Sequence, residues 1–246
     1  NSSSYITSKL TDLAIEWTAA QTQPWFLWLT YNAPHAPFHL PPSELHSQGA
    51  LPNDSSSINA NPLPYYMAMI EALDSEMGRL LNSFSKEILD NTLIIFIGDN
   101  GSPNEVVQGY NSKRAKGSIY QGGINVPMVI SGKNVTRAGD SEDALINGSD
   151  LFATILDVAG TGISEKNDSK SFKGLLSTSN SPKRKFVYSE NYNPKTLGQD
   201  YTIRNETHKY LYFNDGTKAL YNLSDNPLEF PNLLSPNQLP LNAING

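Results

Sequence analysis

Asp99 and Asn100 set a carboxylate beside an amide carbonyl, two hard oxygen donors of the kind that bind Ca²⁺ or Mg²⁺. They stand in Gly98-Asp-Asn-Gly101, which is equally good turn chemistry, and the tripeptide alone favours the turn. His35 lies between Pro34 and Pro37, whose fixed φ angles stiffen the loop, so an imidazole can be held in place for proton transfer. The plain alternative is a surface or packing histidine. His39 and His46 make weaker cases, since three loop histidines at irregular spacing are not a zinc signature. Lys113, Arg114 and Lys116 precede Gly117, and Gly122-Gly123 follow. Cations thus stand beside a backbone able to approach a ligand closely, which suits an anionic group; the competing reading is a solvated loop whose glycines make turns.

These residues need elements to hold them. Ile6, Leu10, Leu13, Ala14 and Trp17 recur at spacings of three and four, which predicts an amphipathic helix from about Tyr5 to Ala20. The apolar run Trp25–Thr30 then reads as a strand buried on both faces, ending in the His35 loop. The order repeats: a long helix with Pro64 in its first turn and a stripe from Tyr66 to Phe84, then the run Thr92–Ile97 leading into Asp99 and Asn100. Pro127–Ser131 reads as a third strand. A helix capped at Ser149 or Asp150 should run through Val158 and end at Gly160. Helices alternating with apolar strands imply an α/β fold with a mainly parallel sheet flanked by helices. Ligands of such sheets sit beyond the carboxyl ends of the strands, so both polar loops are expected to face one crevice. Residues from Gly162 to about Lys185 have the composition of a linker, and the short runs beyond it predict a small antiparallel sheet. The expected division is residues 1–180 for the α/β part and 181–246 for the β subdomain.

Composition narrows the partners. A net charge of -6 with no dense Lys/Arg run argues against nucleic acid or an anionic membrane. No run of eighteen apolar residues encodes a membrane span, and any targeting signal is expected upstream. Without cysteine, neither thiolate metal sites nor cysteine nucleophiles arise within the 246 residues.

Taken in order, Pro24–Pro37, Leu73–Leu81, Asp90–Gly101, Lys116–Pro127, Asp150–Gly160 and Leu220–Pro227 resemble the type I sulfatases of the alkaline-phosphatase superfamily. The likeness covers nearly the whole chain. It implies an alkaline-phosphatase-like fold, with Asp99 and Asn100 as two ligands of a divalent cation, usually Ca²⁺. It also implies that His35 and Lys116 contact sulfate and leaving-group oxygens. In the family, the nucleophile is a formylglycine made from Cys or Ser in a Cys/Ser-x-Pro-x-Arg motif. That motif does not occur here, and neither does an adjacent Asp-Asp pair; Asn180-Ser-Pro-Lys-Arg184 has Asn at the attacking place. Gln121 and Asn125 stand where many relatives have Glu and Arg.

The resemblance therefore implies an incomplete fold: the carboxy-terminal portion of a sulfatase, inactive alone, whose formylglycine lies in a missing amino-terminal segment or another chain. The expected substrate is a sulfate ester, with a sulfated saccharide as the candidate, in a periplasmic or secreted setting. A phosphodiesterase or phosphonate monoester hydrolase on the same scaffold is one alternative. A catalytically silent module that binds sulfated glycans or a partner chain is another.

Overall fold

A computed structural model describes residues 5–194 and 197–235. The chain divides into two compact units, Asn1–Thr92 and Leu93–Gly246. The division proposed near residue 180 falls inside the second.

The first unit is helical: α1 (Ile6–Ala19), α2 (Ser55–Ala60), α3 (Leu63–Asn82) and α4 (Lys86–Asp90). Pro64 sits in the first turn of α3, where its missing N–H costs nothing. The period of α1 and α3 is as expected, but the buried faces are rotated from the apolar stripes. On α1, Thr7, Thr11, Ala14 and Thr18 are buried, while Ile6, Leu13 and Trp17 are exposed. On α3 the buried set includes Ala68, Met69, Ala72 and Glu76. The two helices pack on each other, and small side chains permit that approach. Two hydroxyls on this face bond to the helix backbone: Thr11 Oγ1 donates to Thr7 O at 3.1 Å and Thr18 Oγ1 to Ala14 O at 2.8 Å. The buried carboxylate of Glu76 accepts from Ser8 Oγ (2.8 Å) and Arg79 Nε (2.8 Å).

The expected strand at Trp25–Thr30 is not one in this structure. The segment pairs with no other strand among the described residues, and Phe26 and Trp28 are 59% and 60% exposed. An apolar run becomes a strand only where a neighbour supplies a hydrogen-bonding ladder. Here the alternate side chains are half-buried, and Trp25 rests against Trp17 and Phe84 at centroid distances of 6.1 and 6.0 Å.

In the second unit, β1 (Leu93–Ile97) is followed by α5 (Gln121–Ile124), β2 (Met128–Gly132) and α6 (Asp150–Val158). The strands β1 and β2 pair antiparallel, Leu93 opposite Gly132 and Ile97 opposite Met128, and no parallel pair occurs among the described residues. Leu151, Phe172 and Leu175 form a core with Ile95, Ile97, Met128 and Ile130 from the strands and Ile155 from α6. The expected linker is therefore structural over much of its length. It forms a hairpin, β3 (Glu165–Lys166) and β4 (Ser169–Lys170), and a 3-10 turn at Lys173–Leu176. Ser169 Oγ donates to Ser149 O at 2.6 Å and accepts from Ala153 N at 2.9 Å, while buried Asp150 pairs with Arg184. Ser149 holds the N-cap position of α6 without a side-chain cap bond.

The carboxy-terminal sheet is a four-stranded antiparallel meander as expected: β5 (Val187–Asn193), β6 (Gly198–Arg204), β7 (His208–Tyr212) and β8 (Lys218–Asn222). One face buries Thr202, Lys209, Leu211, Ala219 and Tyr221, and Ile119 packs into its apolar cluster. That contact seats the Lys116 loop on the sheet. No helix among the described residues is long and apolar enough to cross a membrane.

Candidate active site

Strand β1 delivers Asp99 and Asn100 at its carboxyl end, where Gly98 N still donates to Pro127 O at 3.0 Å. Two further backbone bonds fasten the loop that follows. Gly101 N donates to Gly123 O (2.9 Å), and Lys116 N donates to Ser102 O (3.0 Å). The chain segments carrying Asp99, Asn100 and Lys116 are thereby laced together at one rim of the second unit. Asp99 is exposed and Asn100 and Lys116 are half-buried. No side-chain hydrogen bond or ion pair engages these three among the described residues.

Glycine makes the lacing possible. A Cβ on Gly101 would lie 1.9 Å from Gly122 O and 2.9 Å from Gly123 Cα, and one on Gly123 would lie 2.2 Å from Ser118 O. Backbone packs on backbone here, so Gly122 and Gly123 serve contact between loops. Gly117, next to Lys116, has φ +82°, the left-handed region that favours glycine.

Arg114 also departs from the reading of a cationic cluster. Its guanidinium lies over the rings of Tyr120 (4.5 Å) and Tyr221 (5.6 Å), and Nη1 donates to Glu229 O at 2.6 Å. It is committed to holding the loop. Burial, assisted by the neighbouring Tyr120, pushes the Tyr221 hydroxyl up to about 12 against the opposing pull of Arg114.

Gln121 joins a buried network. Gln121 N donates to Glu229 Oε2 at 2.9 Å, and Lys209 Nζ donates to Gln121 Oε1 at 3.2 Å. Lys209 Nζ lies 2.8 Å from Glu229 Oε1, with both side chains 0% exposed. Burial brings the Lys209 ammonium down to about 8, opposed by the Glu229 carboxylate. Only the departure from Glu at position 121 marked this place in the sequence; Glu229 sits in a turn with no periodic signal.

His35 belongs to the first unit, exposed, with its N–H donating to Asn32 O at 2.8 Å and Nδ1 2.5 Å from Ala36 O. Thr11 on α1 bonds the hydroxyl of Tyr31 at 2.8 Å, which ties the entry to this loop to a helix. His39 sits edge-on to Tyr5, and His46 Nδ1 accepts from Gln48 N at 3.3 Å, so both have packing roles.

Asp99 and Asn100 fit Ca²⁺ or Mg²⁺ in kind, as adjacent hard oxygen donors. In number they are part of a set, because Ca²⁺ takes roughly six to eight oxygens. Among the described residues no group of three or more His, Cys, Asp or Glu side chains is arranged to hold an ion.

The chain superposes with a TM-score of 0.75 at 24% identity on the structure described as Ps i-CgsB in complex with k-i-k-neocarrahexaose, over 96% of this chain and 52% of that one. The fold is alkaline-phosphatase-like. By sequence, the family model described as Sulfatase matches residues 2–161, and the chain belongs to that family. A second model, described as N-sulphoglucosamine sulphohydrolase, C-terminal, matches residues 108–241. Among curated relatives, an uncharacterised sulfatase, YdeN, of Escherichia coli is 28% identical over 90% of this chain and 46% of its own length. An N-acetylglucosamine-6-O-sulfatase of Bacteroides thetaiotaomicron is 28% identical over 68% of this chain and 31% of its own. The chain thus spans less than half the length of these relatives.

Proposed function

We propose that the protein hydrolyses a sulfate ester, R–O–SO₃⁻ plus water giving R–OH and hydrogen sulfate, with this chain supplying cation ligands and oxygen-contacting groups. The backbone lacing of Asp99, Asn100 and Lys116 at one rim carries this reading. The side-chain oxygens of Asp99 and Asn100 would be two ligands of a divalent cation, Ca²⁺ by preference. When bound, that ion supplies Lewis-acid stabilisation of negative charge on sulfate oxygens. Lys116 presents a fixed positive charge to the ester, and such a charge lowers the barrier as the departing oxygen becomes anionic. The His35 imidazole, held in its proline-bounded loop, gives a proton to that oxygen. A sulfated saccharide is the proposed substrate class, supported by the name of the Bacteroides thetaiotaomicron relative. A periplasmic or secreted setting belongs to the same proposal.

The test uses the protein as its gene encodes it, assayed on aryl sulfates. Lys116→Ala and His35→Ala are each expected to lower kcat about 10²–10⁴-fold. Both lie in exposed or half-buried loops, so thermal unfolding should move little. Equal losses of stability and turnover would make their roles structural.

A further inference from the structure

The Lys209–Glu229 pair is fully buried, and stability alone accounts for it poorly. Buried ion pairs can often be replaced by packed apolar side chains without loss, because removing two charges from water offsets their attraction. Lys209 Nζ meets Glu229 Oε1 at 2.8 Å, which leaves the other carboxylate oxygen to accept Gln121 N. Glu229 also adopts φ +63°, a sparsely populated conformation for a residue with a side chain. What the arrangement does that an apolar plug could not is hold a particular stretch of backbone. Glu229 Oε2 accepts the amide of Gln121, five residues after Lys116, while Glu229 O accepts Arg114, two residues before it. Lys209, anchored on β7, holds the Gln121 side chain. The loop is gripped on both sides of Lys116, and its buried Ala115 and Ile119 fill the space between.

We propose that Lys209, Glu229 and Gln121 are positioning residues that fix the 114–121 loop and so set where the Lys116 ammonium meets the sulfate ester. The proposal rests on the reading of Lys116 given above. It makes the carboxy-terminal sheet, through Lys209 on β7, part of what holds the Lys116 loop.

The experiment is a mutant cycle in the protein as its gene encodes it, joining the Lys209→Met/Glu229→Leu double variant with Lys116→Ala. The double variant keeps the core filled but leaves Gln121 N–H without its acceptor. A misplacement of about 1 Å costs on the order of 10²-fold in rate, so kcat for aryl sulfates should fall about 10- to 100-fold. The fall should be steepest for poor leaving groups, which depend most on charge at the departing oxygen. Adding Lys116→Ala to the double variant should then cost far less than it does alone, because coupled residues are not additive. Amide hydrogen exchange should quicken across residues 115–123 and stay unchanged in α6. Should the double variant not fold, Gln121→Met carries the same comparison, since it removes the Lys209 contact alone. Full additivity with Lys116→Ala, or unchanged kcat in a folded variant, overturns the positioning role while leaving Lys116 in place. If Lys116→Ala by itself leaves kcat unchanged, the reading of Lys116 falls and the positioning role falls with it.

Discussion

Glu142 shows how single residues hold the second unit together. Its carboxylate accepts from Lys183 Nζ and Arg137 Nη1, each at 2.7 Å, and these bonds hold its pKa at about 2 against the opposing effect of burial. Because the folded value lies below the ordinary one near 4.5, the stabilisation is fully present above that pH. It is lost as pH falls through 4.5 towards 2. Between pH 5 and 2 the unfolding free energy should therefore drop about 1–2 kcal/mol more in the unaltered protein than in Glu142→Gln, allowing for solvent screening. Urea titrations at the two pH values measure the difference, and parallel acid sensitivities would contradict it. Asp150 is similarly placed, buried against Arg184 at the start of α6. Neither ion pair was visible in the sequence, because pairing across 34 to 41 residues depends on the path of the segment between them.

At the scale of elements, the lacing of two loops through Gly101 is the most demanding piece of packing. A methyl there meets the backbone of Gly122 and Gly123, which cannot rotate away as a side chain can. Gly101→Ala should lower stability by roughly 1–3 kcal/mol, as overpacking does. It should also lower turnover more than Gly148→Ala, where nothing lies within 4 Å. Calorimetry and an aryl sulfate assay of the pair decide it; equal, small effects would mean that the loops are not held in this way. Periodicity made α1, α3 and α6 legible, since a helix declares itself through spacing whatever it packs against. It did not reveal which face is buried. On α1 the buried face carries Thr7, Thr11, Ala14 and Thr18, while Ile6, Leu13 and Trp17 are exposed. Trp25–Thr30 has the composition of a strand, yet a ladder is a property of two segments. The Gly162–Lys185 stretch failed for the opposite reason. Its few apolar residues, Phe172 and Leu175 among them, are enough to close the core over α6.

For the whole molecule, the order of motifs was more informative than any one of them. Asp99-Asn-Gly101 alone is a turn, and Lys113–Lys116 alone a polar loop; in the structure backbone bonds lace the two together. The roles of Arg114 and Gln121 were not legible because their partners, Glu229 and Lys209, lie about ninety or more residues away in the chain and reach the loop only once the meander has packed on it. Family membership follows from the match over residues 2–161, and the second model places the meander in the same lineage. The chain spans less than half the length of curated relatives such as YdeN, and the proposed hydrolysis is tested on the protein as its gene encodes it. The most direct measurement is a crystal structure with Ca²⁺ and a slowly cleaved sulfate ester bound. Asp99 and Asn100 oxygens should lie about 2.3–2.6 Å from the cation, with Lys116 Nζ about 3 Å from an oxygen of the ester. A cation held by other residues, with Lys116 turned away from the sulfate, would contradict the account.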